Sequence, residues 1–356
     1  NQLIEAKALL LAGRSTQDQE EAIEHLSKAK ALAKALDQRP LEGDILRYLG
    51  NAIYWQGKHQ DSIPYYNAAL SIHRAVGDQR GELSTLNNLG KVFEILGDLR
   101  SSADHFQQAQ EICQSIDDRL ARGVILTNLG ELKTLLGEYS TARIILEEAY
   151  NIRNNIGNGE GAAMALIYLG DIDRHQGYFE QALANYQQAY AISSELQLID
   201  QVGEIANQIS ILYRELGAFE LSFEYLKRAM GILTDKISPR YFHTLVNGSL
   251  LHHLCGDHAK ALAFGEEALS HTSELPTIRA DALKNIGHAL TGLQRYADAR
   301  AYFLRAQSLY ETLGQPHLAS GAVAGAAQAA VGEDNLREAF DEIQQILSFI
   351  DDRPLE

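Results

Sequence analysis

The chain repeats itself. Residues 49–72 read LGNAIYWQGKHQDSIPYYNAALSI, and the same pattern returns as LGKVFEILGDLRSSADHFQQAQEI, LGELKTLLGEYSTARIILEEAYNI and LGDIDRHQGYFEQALANYQQAYAI. The pairs Leu49-Gly50, Leu89-Gly90, Leu129-Gly130 and Leu169-Gly170 thus hold a period of 40 residues through four copies. A fixed period of this size indicates stacked small units that share one continuous core. Length then counts units instead of globular domains, and the expectation is one repeat domain over 1–356. Asn1 already stands in a helical pattern with Leu3, Ala6 and Leu10, which reads as a piece of a longer protein.

Inside a unit the periodicity is helical. Ile45, Leu46, Leu49 and Ile53 recur at three- and four-residue steps, the mark of an amphipathic helix. Gly57-Lys58 breaks it where a residue tolerant of positive φ is needed. A second helix carries Ile63, Tyr66, Ala69, Leu70 and Ile72 and ends at Gly77-Asp78. The first break returns at Gly97, Gly137, Gly177 and Gly217, the second at Asp117-Asp118 and Gly157-Asn158. Beyond Gly217 the spacing slips to 39 (Gly256) and then 38 (Gln294, Gly332).

The pattern predicts nine helix hairpins over 1–36, 41–76, 81–116, 121–156, 161–196, 201–236, 240–272, 278–314 and 318–350, the first with a longer turn from Gly13 to Asp18. Pro239, Pro276 and Pro316 precede the last three, where a connection is expected. Pro64 is placed in the first turn of a second helix, where proline is tolerated.

Composition narrows the function. Net charge is −16, with 31 Lys and Arg against 47 Asp and Glu and no basic run, which argues against direct nucleic-acid binding. No apolar run reaches the ~20 residues of a membrane span, so no membrane insertion is expected. Cys113 and Cys255 stand apart, outside any C-x-x-C arrangement, which fits a reducing, cytoplasmic compartment. P-loop, H-E-x-x-H and G-x-S-x-G motifs are absent, so neither catalysis nor a cofactor is expected.

The recurring steps are Leu-Gly in the first helix and, in the second, a small residue followed four later by a large one. Examples are Ser62/Tyr66, Ser102/Phe106, Ala142/Leu146, Ala182/Tyr186, Ser222/Leu226 and Ala299/Phe303, with another Ala three further on at Ala69, Ala109, Ala149, Ala189, Ala229, Ala268 and Ala306. This resembles the tetratricopeptide repeat, in a form longer than the usual period of about 34 residues. It is similar to the arrays of Pins-type adaptors, kinesin light chains, and bacterial signalling ATPases and transcription activators such as the maltose-regulon activator. The resemblance implies an all-α right-handed solenoid whose first helices line a concave groove. Two departures stand out: Gly265 replaces the large residue of the seventh unit, and the ninth first helix is poor in bulk over 322–331. These predict thin, bent or covered end units.

Groove candidates follow from the helix steps around Leu-Gly. The position before Leu holds Tyr48, Asn88, Asn128, Tyr168, Gln208, Asn247 and Asn285. Asn carries both a donor and an acceptor, so such a ladder can pair with the backbone of an extended peptide; the resemblance implies the same role. Beside it stand Arg47, Asn87, Asn207 and Lys284, then Lys91, Arg174 and Arg214, cations able to clamp carboxylate or phosphate. The opposing reading is that the Asn residues brace neighbouring helices and the cations pair with Glu94, Glu131, Asp171, Glu204 or Glu215. Tyr54 and Trp55 offer an aromatic anchor, unless Trp55 packs beneath the first turn.

Three functional readings result. The first is a non-catalytic scaffold or sensor that holds a protein or peptide segment, including another domain of its own parent chain, as part of a signalling ATPase or transcription regulator. The second is a sugar-like small-molecule receptor, with contacts concentrated at Tyr54/Trp55 or Tyr168 with Arg174/His175. A third, a metal site, has only the His243, His252, His253, Cys255 and His258 cluster, whose spacing matches no standard pattern; the expectation is surface residues and no metal. Lys133 and Asp173, where bulky residues are usual, are expected to pair across a unit boundary.

Overall fold

A computed structural model of the chain describes residues 1–16, 18–116, 118–233 and 238–351, with side chains up to 344. Asp117 of the expected Asp117-Asp118 break, Gln17 of the long first turn and the end of the sixth hairpin at 234–236 lie outside the described residues.

Among the described residues every regular element is an α-helix, and the contacts divide the chain into two compact units, Asn1–Ile172 and Asp173–Glu356. Unit 1 holds α1 (Gln2–Ser15), α2 (Gln19–Ala35), α3 (Arg39–Trp55), α4 (His59–Val76), α5 (Gln79–Ile95), α6 (Leu99–Ile116), α7 (Arg119–Leu135) and α8 (Tyr139–Asn155). The division falls within α9 (Gly159–His175). Unit 2 continues with α10 (Phe179–Glu195), α11 (Ile199–Glu215), α12 (Phe219–Ile232), α13 (Pro239–Leu254), α14 (His258–His271), α15 (Pro276–Gly292), α16 (Tyr296–Thr312), α17 (Pro316–Gly332) and α18 (Leu336–Asp351). First and second helices alternate as nine successive pairs, as the period predicts.

The third pair shows why these residues fold this way. Asp78 opens α5 by accepting from the Gly81 amide, one of the donors a helix start leaves unpaired. Leu83, Leu86, Leu89 and Val92 then fall on one stripe and are buried. Gly97, at φ 80°, turns the chain into α6 in a conformation that costs glycine little. Phe106 of α6 lies against Gly90, where an added Cβ would come within 2.5 Å of the ring. The glycine of Leu-Gly is thus the seat for the large residue of the second helix, and Tyr66 on Gly50 and Phe303 on Gly287 repeat it.

The departures are absorbed by repacking. At Gly265 an added Cβ would stand 2.7 Å from Ile286 of α15, so a neighbour's side chain fills the space. In the last hairpins the Phe303 ring sits between Gly287 and Gly325, which explains why α17 carries so little bulk. One expectation changes. Pro64 is the sixth residue of α4, past the first turn, because that helix begins at His59. Lys133 and Asp173 each take a partner within their own hairpin: the Lys133 ammonium bonds both oxygens of Glu138 at 2.9 and 2.8 Å, and Asp173 accepts from Asn185 at 2.7 Å. The long lysine stem reaches the start of the following helix, where its charge stays partly hydrated.

Candidate functional site

Within each unit the first helices touch one another directly, α1, α3, α5 and α7 in unit 1 and α11, α13, α15 and α17 in unit 2. Equivalent positions forty residues apart therefore become neighbours, and the predicted ladder becomes two linked rows of side chains.

In unit 1, Asn88 Nδ2 donates to Asn51 Oδ1 at 2.8 Å, and that oxygen also accepts from the Tyr66 hydroxyl at 2.9 Å. Asn128 Nδ2 donates to Asn87 Oδ1 at 2.7 Å. All four asparagines are half-buried. Each bond uses one end of an amide, so among the described residues Asn51 and Asn87 retain donors while Asn88 and Asn128 retain acceptors. Asn51, one residue after Gly50, was not among the residues singled out from sequence, although its position lies on the same face.

Around this row, Arg47 and Arg14 both lie over the Tyr48 ring at 4.2 and 4.6 Å, and Arg47 also reaches Asp44 at 3.3 Å. Lys91 Nζ lies 2.8 Å from both Glu94 and Glu131. Burial and the adjacent Glu131 push the Glu94 carboxyl up to about 8, against the pull of Lys91. Burial works against the Lys91 ammonium, but Glu131 and Glu94 outweigh it and hold its pKa above the ordinary lysine value. Tyr54 meets Trp55 edge-on at 5.1 Å, and Trp55 is 67% exposed instead of packed beneath a turn. Tyr168 is half-buried on α9.

In unit 2 the same positions are closed. Asn207, Asn247 and Asn285 are 5%, 3% and 3% exposed. Asn247 donates to Asn207 Oδ1 at 2.9 Å and to Ser210 Oγ at 3.1 Å, and its own oxygen accepts from Arg214. Asn285 donates to the Val246 carbonyl at 2.9 Å. Arg174 bonds Glu215 at 2.7 Å. Burial, with Arg174 nearby, depresses the Arg214 pKa, opposed by Glu215 and Asp281. Gln208 stays half-buried with its Oε1 unpartnered among the described residues. Lys284 lies 3.4 Å from Asp281.

The histidines of the seventh hairpin pack ring against ring at a tilt. His253 lies 5.0 Å from His258 and 5.5 Å from His288, and desolvation lowers the His253 and His288 pKa values, the latter to about 4. Among the described residues no group of three or more His, Cys, Asp or Glu side chains is placed to hold a metal ion. A cavity of about 660 Å³ opens beside Ile23, Ile53, Ile63 and Tyr65 and shares no residue with the ladder. No helix among the described residues is long and apolar enough to cross a membrane.

Comparison with known proteins agrees with the helical-repeat fold. No curated protein sequence matches the chain. The fold is similar to a Rap protein solved with competence and sporulation factor, at 12% identity over 97% of this chain and 98% of that one, TM-score 0.60. It is also similar to the apo form of the quorum sensor NprR from B. thuringiensis, at 11% identity over 93% and 96%, TM-score 0.62. A third likeness is to the Rap conjugation gene regulator of plasmid pLS20 in complex with the Phr* peptide, at 13% identity over 100% and 98%, TM-score 0.56. Tetratricopeptide repeat profiles match residues 42–115, 101–155, 161–235 and 280–315. With more than half its length matched, the chain belongs to the tetratricopeptide repeat family.

Proposed function

We propose that the chain is a non-catalytic regulatory module that holds an extended peptide, free or part of a protein, along the first-helix face of unit 1. The observation that carries this reading is the half-used amide row: donors on Asn51 and Asn87, acceptors on Asn88 and Asn128. An extended peptide presents N–H and C=O groups at about 3.3 Å per residue and needs such partners in alternation. The amides are already oriented by their bonds to neighbouring helices, so binding costs them little side-chain entropy. Two proteins of similar fold were solved with a signalling factor or peptide bound, which supports the reading by analogy.

The test is binding of a capped hexapeptide library to the purified chain and to an Asn88→Ala/Asn128→Ala variant verified by its melting curve. Each lost hydrogen bond contributes about 0.5–1.5 kcal/mol. The double variant should therefore bind the selected peptides about tenfold or more weakly. Unchanged affinity in the folded variant would overturn the proposal.

A further inference from the structure

One helical turn past Asn88 and Asn128, the charges of unit 1 do not balance. The Lys91 ammonium serves two carboxylates, Glu94 and Glu131, at 2.8 Å each. The other cations of this face are engaged elsewhere, Arg47 with Tyr48 and Asp44 and Lys133 with Glu138. Only 7% of the Glu94 side chain is exposed, and its Oε2 is sealed from solvent with no donor among the described residues. A buried carboxylate oxygen without a donor is unfavourable, so an ionised Glu94 lacks a partner that the fold itself does not supply.

In the free chain a proton makes up the difference. The Glu94 and Glu131 carboxyls lie close enough to share one, and burial together with Glu131 holds it on Glu94 well above the ordinary carboxylate range. The charged groups that act on Glu94 are Glu131 from α7 and Lys91 from its own helix; none from α3, α4 or α6 does so among the described residues. The nearby unused atoms, Asn88 Oδ1 and Asn128 Oδ1, are acceptors as well. The surroundings therefore call for a donor-rich cation.

We infer that Lys91, Glu94 and Glu131 form a cation subsite that takes a guanidinium or ammonium group of the bound peptide beside Glu131, in exchange for the proton on Glu94. The inference rests on the peptide reading of unit 1. The exchange balances in charge: one cation enters, Glu94 ionises, and its proton passes to the buffer. A guanidinium brings five donors in a planar fork and an ammonium three.

A positional-scanning library of capped hexapeptides, with arginine, lysine or citrulline at each position, tests this on the whole chain. One position should favour arginine or lysine over citrulline, the neutral isostere of arginine, by about tenfold. The more strongly selected cation identifies the group. Titration calorimetry at pH 7 in buffers of different ionisation enthalpy should show about one proton released with the cationic peptide and none with its citrulline form. Glu94→Gln and, as a second probe, Glu131→Gln should cut the preference below about twofold. If library peptides bind with no cationic preference or no proton release, the subsite is wrong while the groove stands. If no library peptide binds, the peptide reading has failed and the subsite falls with it.

Discussion

Asn88 and Asn128 in unit 1 and Asn247 in unit 2 hold the same position of the repeat and reach opposite states. In unit 2, Asn247 is 3% exposed and saturated by Asn207, Ser210 and Arg214. In unit 1, Asn88 and Asn128 are half-buried, each with one bond made and one acceptor left over. The difference lies in the neighbours. Ser210 and the Arg214 guanidinium complete the unit 2 network, whereas the Asn51 oxygen in unit 1 is already taken by Tyr66 and Asn88. A polar ladder thus braces helices where every member is satisfied and presents a binding surface where it is left incomplete.

The comparison can be broken most decisively at Asn247. Asn247→Ala removes the hydrogen-bond partner of the Arg214 guanidinium and of Asn207 Oδ1, and should destabilise unit 2 by about 2–4 kcal/mol. Denaturant titration followed by hydrogen exchange in α11 and α13 checks it; a near-neutral effect would mean that the unit 2 row is not a brace. Next comes Glu94. Its folded pKa of about 8 exceeds the ordinary 4.5, so the folded state keeps a proton that the unfolded chain releases. Stability should therefore fall as pH rises through that window, by roughly 2 kcal/mol between pH 6 and 8, and Glu94→Gln should flatten the dependence.

Asn88→Ala sharpens the contrast, because Asn51 keeps its Tyr66 partner and the site is only half-buried. The expected cost in stability is only about 0.5–1 kcal/mol, with peptide affinity as the main casualty. The smallest effect is expected at Lys133. Its pair with Glu138 is partly exposed, so Lys133→Met should alter stability by less than about 1 kcal/mol in a melting experiment.

Most of the fold was legible because it is periodic. Leu-Gly, the small and large residues of the second helix, and the glycine breaks each mark a backbone or packing requirement that recurs every forty residues, so nine hairpins follow from counting. The site was legible only as a face. Periodicity places Asn88 and Asn247 at one position but is silent on whether a neighbour is Ser210, which completes a network, or Asn51, which shares an acceptor. Lys133 and Asp173 likewise take Glu138 and Asn185, partners that lie outside the repeat register. Glu94 looked like a simple counter-ion to Lys91; that it competes with Glu131 for one ammonium emerges only when α5 and α7 pack together.

The most direct test is photo-crosslinking of a library-selected peptide, carrying a diazirine at each position in turn, to the intact chain, with the attachment sites read by mass spectrometry. The account predicts attachment along α3, α5 and α7 around Asn51, Asn87, Asn88 and Asn128, advancing from helix to helix as the label moves along the peptide. Attachment confined to α11, α13 and α15, or to the second helices, would contradict it.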